Sequence, residues 1–286
     1  MRTPSGTGRR VPPLLATLLT LCGAAAAQER RVADVPFVPT SPETVEAMLD
    51  AARPAPGETV YDLGSGDGRI VIAAARRPGV RGVGVELDAR LVRESEAAAL
   101  RAGVADRVRF VREDLFRTDL RDADVVTLFL LPSLNLRLRP RLLRQLRPGA
   151  RVVSHAFAMG DWEPDSTVAV RPEGGGPGPT VYLWTVPADV RGSWTLAAPD
   201  GRRYRLRLEQ RFQRVRGTAA MAGRTIPLAD VRLAGDRIAL TLADTVAGRA
   251  SPLRLEGRVR DGRMAGSGAD GKGWSATRLA PRAGRR

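Results

Sequence analysis

A chain of 286 residues with 43% hydrophobic content is long enough to bury one large core or two modest ones. Its 46 lysines and arginines against 31 acidic residues leave a formal net charge of +15, which ordinarily suits an anionic partner. Lys272 is the sole lysine, however, and the arginines are spread along the whole length. That is the mark of coding bias rather than of a binding patch, so nucleic acid is not favoured. The single cysteine, Cys22, excludes an internal disulfide framework and a cysteine-based zinc site. No metal-ligand spacing occurs elsewhere.

At the N-terminus, Arg2, Arg9 and Arg10 precede the apolar stretch Val11–Ala27, which ends in four alanines before Gln28. A charged start, an apolar middle and small residues at the end predict a signal peptide over residues 1–27 and an exported, periplasmic chain. The stretch is short and alanine-rich for a spanning helix, which needs about 20 strongly apolar residues. An uncleaved inner-membrane anchor and a cytoplasmic chain are the alternatives.

From Gln28 the text alternates between periods of 3.6 and 2. Ser41 or Thr40 caps a helix that opens with Pro42 and Glu43 and places Val45, Met48, Leu49 and Ala52 on one face. Strand 1 is expected at 59–63, a helix from Arg69, strand 2 at 82–87, a helix at 91–102 and strand 3 at 108–111. The near-continuous apolar run 124–131 reads as strand 4, buried on both faces. A helix at 136–146 stops at Pro148-Gly149, strand 5 covers 151–156, and strands 6 and 7, at 167–170 and 180–186, form an antiparallel pair around a glycine-rich turn at 174–178. Alternation of this kind predicts an open, doubly wound α/β sheet over residues 28–187.

After Pro187 the helical period disappears. Short alternating runs such as Tyr204–Leu208, Val231–Leu233, Arg237–Leu242 and Leu253–Gly257 are punctuated by Asp200-Gly201, Gly235-Asp236 and Asp261-Gly262 at hairpin spacing. Residues 188–286 are therefore expected to form a small antiparallel β domain, a barrel or half-barrel.

The densest chemical signal is Val60-Tyr61-Asp62-Leu63-Gly64-Ser65-Gly66-Asp67-Gly68. A strand enters a helix through a loop with glycine at every second position, which lets a ligand approach the backbone. A dinucleotide fingerprint would require its third glycine at Arg69. The run found instead resembles motif I of the class I S-adenosylmethionine-dependent methyltransferases. Pro36-Phe37-Val38-Pro39-Thr40 before it and Gly84-Val85-Glu86-Leu87-Asp88 after it extend the resemblance, over about residues 36–187, to the branch related to the non-SET protein-lysine methyltransferases. The resemblance implies a seven-stranded Rossmann-like sheet and S-adenosyl-L-methionine as cofactor. Asp62, Gly64, Ser65, Gly66, Gly68, Glu86, Asp114 and Leu115 are its implied contacts. Asp62 would face the ligand's amino group, Glu86 the ribose diol and Asp114 the adenine amino group, with Leu115 or Phe116 on the ring. Residues 131–135 would border the acceptor.

No catalytic residue is identified. Asn135, His155, Asp161 and Trp162, near the ends of strands 4 and 5, are candidates. His155 is the only histidine, and its place within strand 5 favours a satisfied buried side chain over a base. Trp162 suits an acceptor wall and a core cap equally. The expected function is methyl transfer from S-adenosylmethionine to an unidentified acceptor, a protein lysine being one. The alternatives are an exported binding or interaction protein without turnover and a nucleic-acid methyltransferase.

Overall fold

The computed structural model describes residues 37–171, 175–246, 249–250, 252–268 and 271–280. The leader pattern at 1–27 lies outside them, as does Pro36. Helix α1 (Pro42–Ala52) starts as its sequence dictates: the Ser41 hydroxyl accepts from the Thr44 amide at 3.3 Å, with proline in the first turn. It is followed by β1 (Thr59–Leu63), α2 (Arg69–Arg76), β2 (Arg81–Glu86), α3 (Ala89–Arg101), β3 (Val108–Arg112), β4 (Val125–Leu128), α4 (Pro132–Gln145), β5 (Arg151–His155), β6 (Ser166–Ala169) and β7 (Thr180–Thr185). Among the described residues these seven strands form one sheet in the order β3-β2-β1-β4-β5-β7-β6. β7 runs antiparallel to both of its neighbours, and the β1–β5 pairings are parallel.

Each face of the sheet is covered by an apolar layer. On one, Val45, Met48 and Leu49 of α1 and Ile70 and Ala74 of α2 pack on Val60, Val125 and Val153. On the other, Leu138 and Leu142 of α4 pack with Leu63, Val126, Leu128, Val152 and Trp184. Burying each such side chain contributes about 1.5–3 kcal/mol. All four residues of β4 are buried, as expected of a central parallel strand.

The expected boundaries hold to within two residues except around β4. The strand ends at Leu128 rather than 131, and α4 begins at Pro132 rather than 136. Proline has its φ preset for a helix start and needs no amide partner there. Asn135 consequently lies in the first turn of α4, not in a loop before it.

The second domain is a closed antiparallel barrel of eight strands: β8 (Gly192–Ala197), β9 (Arg203–Arg211), β10 (Arg214–Met221), β11 (Arg224–Ala234), β12 (Arg237–Leu242), β15 (Leu253–Arg260), β16 (Arg263–Gly268) and β17 (Gly273–Arg278). The ladder β13 (Thr245–Val246) and β14 (Arg249–Ala250) lies outside it. Alternation is clean in β9, where Tyr204, Leu206 and Leu208 are buried between exposed arginines. The inward residues, with Trp194, Leu240, Met264 and Trp274, fill the barrel. Of the two expected forms, barrel and half-barrel, the closed barrel is observed.

The tip of the β9–β10 hairpin reaches the β5–β6 connection. Trp162 is fully buried there, stacked on Phe212 at 5.9 Å, and its indole N–H donates to the Gln213 Oε1 at 3.1 Å. Gln213 in turn donates to the Glu163 carbonyl at 2.7 Å, and Arg214 pairs with Glu163.

Candidate functional site

Strand order reverses between β1 and β4, so the loops at the carboxyl ends of these strands diverge and leave room for a ligand. Asp62 lies there, 3% exposed, with its Oδ1 accepting the Thr127 hydroxyl at 2.7 Å. Burial pushes its carboxyl up to about 7, with the negative charges of Glu86 and Asp67 acting the same way and the Thr127 hydrogen bond opposing them. The chain then turns through Gly64, Gly66 and Gly68, at φ +84°, +54° and +79°. Only glycine adopts these angles freely. The amides of Gly64 and Ser65 both donate to the Val85 carbonyl, at 2.8 and 3.0 Å, which pins the loop to β2.

Gly66 is demanded twice. A Cβ on it would overlap the ring of Phe37, which lies across the loop while staying 44% exposed. Two side chains hold that lead-in down. Arg69 donates to the Thr40 carbonyl at 2.6 Å, and the Thr40 hydroxyl lies 3.3 Å from the His155 Nδ1. A Cβ on Gly84 would stand 2.5 Å from Phe110 and 2.7 Å from the Ser65 hydroxyl, so β2 also needs glycine to let the loop approach.

Glu86 ends β2 with its Oε2 accepting the Gly66 amide at 3.0 Å and its Oε1 accepting the Leu87 and Asp88 amides at 2.7 and 2.9 Å. A carboxylate offers about four acceptor positions, so the three donors leave capacity for a ligand hydroxyl. Asp114, past β3, accepts the Phe116 amide at 2.9 Å in a local turn. Leu115 and Phe116 pack against the apolar layer, and the Arg137 guanidinium sits 3.9 Å over the Phe116 ring. The structure thus places Asp62 at the end of β1, runs Gly64, Ser65, Gly66 and Gly68 through the loop that follows, ties Gly66 to Glu86 at the end of β2, and puts Asp114 and Leu115 on the loop after the neighbouring strand. The Ser65 hydroxyl is buried without a partner among the described residues, under the loop on the side of Gly84. A glycine cradle, the buried Asp62 carboxyl at the end of β1 and the Glu86 carboxylate at the end of β2 fit a ligand with a ribose and an amino-acid end. Among the described residues no group of side chains could hold a metal ion.

The candidates for catalysis separate. Asn135 is fully buried, and its Nδ2 donates to the Ser154 Oγ and the Phe157 carbonyl, both at 3.2 Å, so it clasps α4 to the end of β5. His155 is 7% exposed and stacked on Phe129, with ring centroids 3.8 Å apart. Burial lowers its pKa, which keeps the ring neutral at pH 7. Phe157 continues the stack 6.5 Å from Phe129. Trp162 is buried at the junction with the barrel, against Phe212 and Gln213. Asp161 is taken by Arg139 and Arg211, whose hydrogen bonds hold its carboxyl below the usual range.

Sequence reasoning missed the wall of Phe129 and Phe157, because Phe129 sits inside an apolar run that reads as core. It also gave no role to Phe37 or to Thr127. An aromatic one residue past the end of the strand next to the glycine loop was the available signal.

A family model described as the ANTKMT methyltransferase domain matches residues 62–166. A protein-lysine N-methyltransferase of Saccharolobus islandicus is 42% identical over 156 residues, 54% of this chain and 96% of that protein. The adenine nucleotide translocase lysine N-methyltransferase of Mus musculus is 43% identical over 160 residues, 56% of this chain and 65% of that protein. Among solved structures, an RNA methyltransferase from Salinibacter ruber in complex with S-adenosyl-L-homocysteine is 53% identical. It matches with a TM-score of 0.50 over 54% of this chain and 96% of that one.

Proposed function

This chain belongs to the class I S-adenosylmethionine-dependent methyltransferases related to the protein-lysine methyltransferases, and from that premise we propose that its acceptor is the side-chain amine of a protein lysine. The aromatic stack of Phe129, His155 and Phe157 carries this reading. Ring faces attract cations and exclude water, and the neutral His155 adds no positive charge to repel an incoming ammonium. The lysine methyltransferases among the relatives support the same acceptor class. S-adenosylmethionine supplies, when bound, a methyl group on a positively charged sulfur that leaves as a neutral thioether. The ammonium gives up a proton to solvent before its nitrogen attacks, and the residues of this chain align the ligand and dehydrate the resulting amine, the main protein contributions to such an in-line displacement. Asp62 would balance the cationic amino-acid end, Glu86 the ribose, and Gly64 and Gly66 admit the backbone to close contact.

The test is transfer of labelled methyl from S-adenosylmethionine to proteins, read as N-methyl-lysine after hydrolysis. Phe129→Ala should lower kcat/KM for that acceptor by about tenfold, the scale of one cation–π contact, while S-adenosylhomocysteine still binds. Label recovered in nucleic acid and none in lysine would replace this reading.

Asp62 also sets a pH dependence. In the empty protein its carboxyl, raised to about 7 by burial, holds a proton below neutrality. A cationic amino group beside it favours the carboxylate, so binding releases that proton. Affinity for S-adenosylhomocysteine is expected to climb by up to tenfold per pH unit from about pH 5, and to level off above about pH 7. Calorimetry across that range should show the slope in the parent and a flat profile in Asp62→Asn.

We propose further that the chain is exported, as the charged, apolar and small-residue pattern of residues 1–27 supports. N-terminal mass spectrometry on fractionated cells is expected to find a periplasmic chain beginning at Gln28. A cytoplasmic chain that retains Met1 would refute this.

A further inference from the structure

We propose that the outer face of β9 is a track for the phosphate backbone of a nucleic-acid strand. Arg203, Arg205 and Arg207 are all exposed on this face, alternating with the buried Tyr204, Leu206 and Leu208. None of their three side chains makes a hydrogen bond or ion pair among the described residues. Strand geometry spaces them about 6.8 Å apart in one line.

The surroundings leave this charge uncompensated. In register on β8 stand Ser193 opposite Arg207, Thr195 opposite Arg205 and Ala197 opposite Arg203. On β10, Thr218 and Ala220 stand opposite Arg207 and Arg205. The carboxylates at the two ends of the row are already paired. Glu209 holds Arg216 at 2.8 Å, and Asp200 holds Arg202 at 2.6 Å. A row of free guanidinium groups bordered by hydroxyls is the donor set that phosphate oxygens take.

Two features favour a nucleic acid over an anionic membrane. The charge runs as a line one strand wide. Among the described residues the exposed large apolar side chains, Phe37, Val38, Leu100, Leu131, Leu136 and Val168, all lie outside the barrel, so the described part of this face offers none to insert into lipid. With no exposed aromatic alongside the arginines to stack on a base, recognition is of the backbone, independent of sequence and steeply salt-dependent. The inference stands apart from the methyl-transfer reading, because the track is on the barrel and uses none of the residues at the sheet edge.

The test uses the full chain and fluorescence anisotropy with a labelled oligouridylate of about 20 nucleotides. Titrations between about 50 and 200 mM salt give the slope of log affinity against log salt. The triple variant R203Q/R205Q/R207Q should lose at least tenfold in affinity at the lower salt, and its slope should fall by about 2, as for three lost contacts to a single strand. The control R237Q/R254Q/R263Q removes the same charge from other barrel strands and should keep most of the affinity. Equal losses in the two variants would mean bulk charge only, and would overturn the proposal. So would failure of the parent chain to bind at the lower salt. Sedimentation with phosphatidylglycerol vesicles that depends on the three arginines, with oligonucleotide binding unaffected by their loss, would assign the face to lipid instead. Urea denaturation midpoints unchanged from the parent in both variants confirm that the barrel is folded.

Discussion

Glu86→Ala is expected to weaken binding of S-adenosylhomocysteine by about 100-fold. One hydrogen bond from a ligand hydroxyl to a charged, half-buried carboxylate is worth about 1.5–3 kcal/mol, and each 1.4 kcal/mol is tenfold in affinity. The carboxylate does a second task, because its Oε2 anchors the Gly66 amide at 3.0 Å. Its loss also loosens the one glycine of the loop that Phe37 covers. The fold should survive, since the other two amides it accepts, at Leu87 and Asp88, lie at the surface end of β2 where water replaces the acceptor. Glu86→Gln keeps one acceptor oxygen and the side-chain shape, and should lose about tenfold, the value of a charge in one such bond. Calorimetry with both variants decides it. If each binds as tightly as the parent, the end of β2 does not hold the ribose.

The second large effect is on the barrel. Gly266→Ala is expected to cost about 3 kcal/mol or more. Gly266 of β16 stands in register with Gly257 of β15, and a Cβ on it would overlap the carbonyl oxygen of Glu256. Because the obstacle is backbone, no rotamer relieves it and the two strands must part. The paired glycines also clear space for the Trp274 indole. It donates to the Glu256 carbonyl at 2.9 Å, and its ring would lie 2.8 Å from a Cβ on Gly257. Gly262→Ala makes the comparison. It lies in the β15–β16 turn at φ +70° with nothing within 4 Å of the added methyl, so it pays only the left-handed backbone penalty of about 1 kcal/mol. Urea denaturation should separate the two variants clearly. Equal losses would discredit close strand approach as the reason for glycine at 266.

Much of the site was legible because its parts are close in sequence. Asp62 through Gly68 form a contiguous strand, turn and helix start, and Glu86 follows at the end of the next strand. The glycine spacing therefore places the cofactor loop without knowledge of the rest of the fold. The same holds for the barrel strands, whose alternation of arginine with apolar residues states which side faces inward. Trp162 and Asp161 were not legible. Their partners, Gln213 and Arg211, come from the barrel about 50 positions away, and a local pattern cannot say which residues a distant hairpin covers. Asn135 was placed near the acceptor, but its clasp on Phe157 depends on where Pro132 starts α4.

The sequence by itself determined the periods, the turns and the glycine cradle, because each depends on backbone preferences and burial within a few residues. The tertiary structure alone decided that Phe37 lies over Gly66, that Thr40 meets His155 across 115 positions, and that Phe129, His155 and Phe157 form one wall. It also decided which arginines of a uniformly basic chain stay free. Ion pairs with acids distant in sequence neutralise many of them, while register leaves Arg203, Arg205 and Arg207 facing only small or hydroxyl-bearing neighbours. Contacts of this kind follow from packing distant segments against a shared core, and that packing has no local signature in the order of residues.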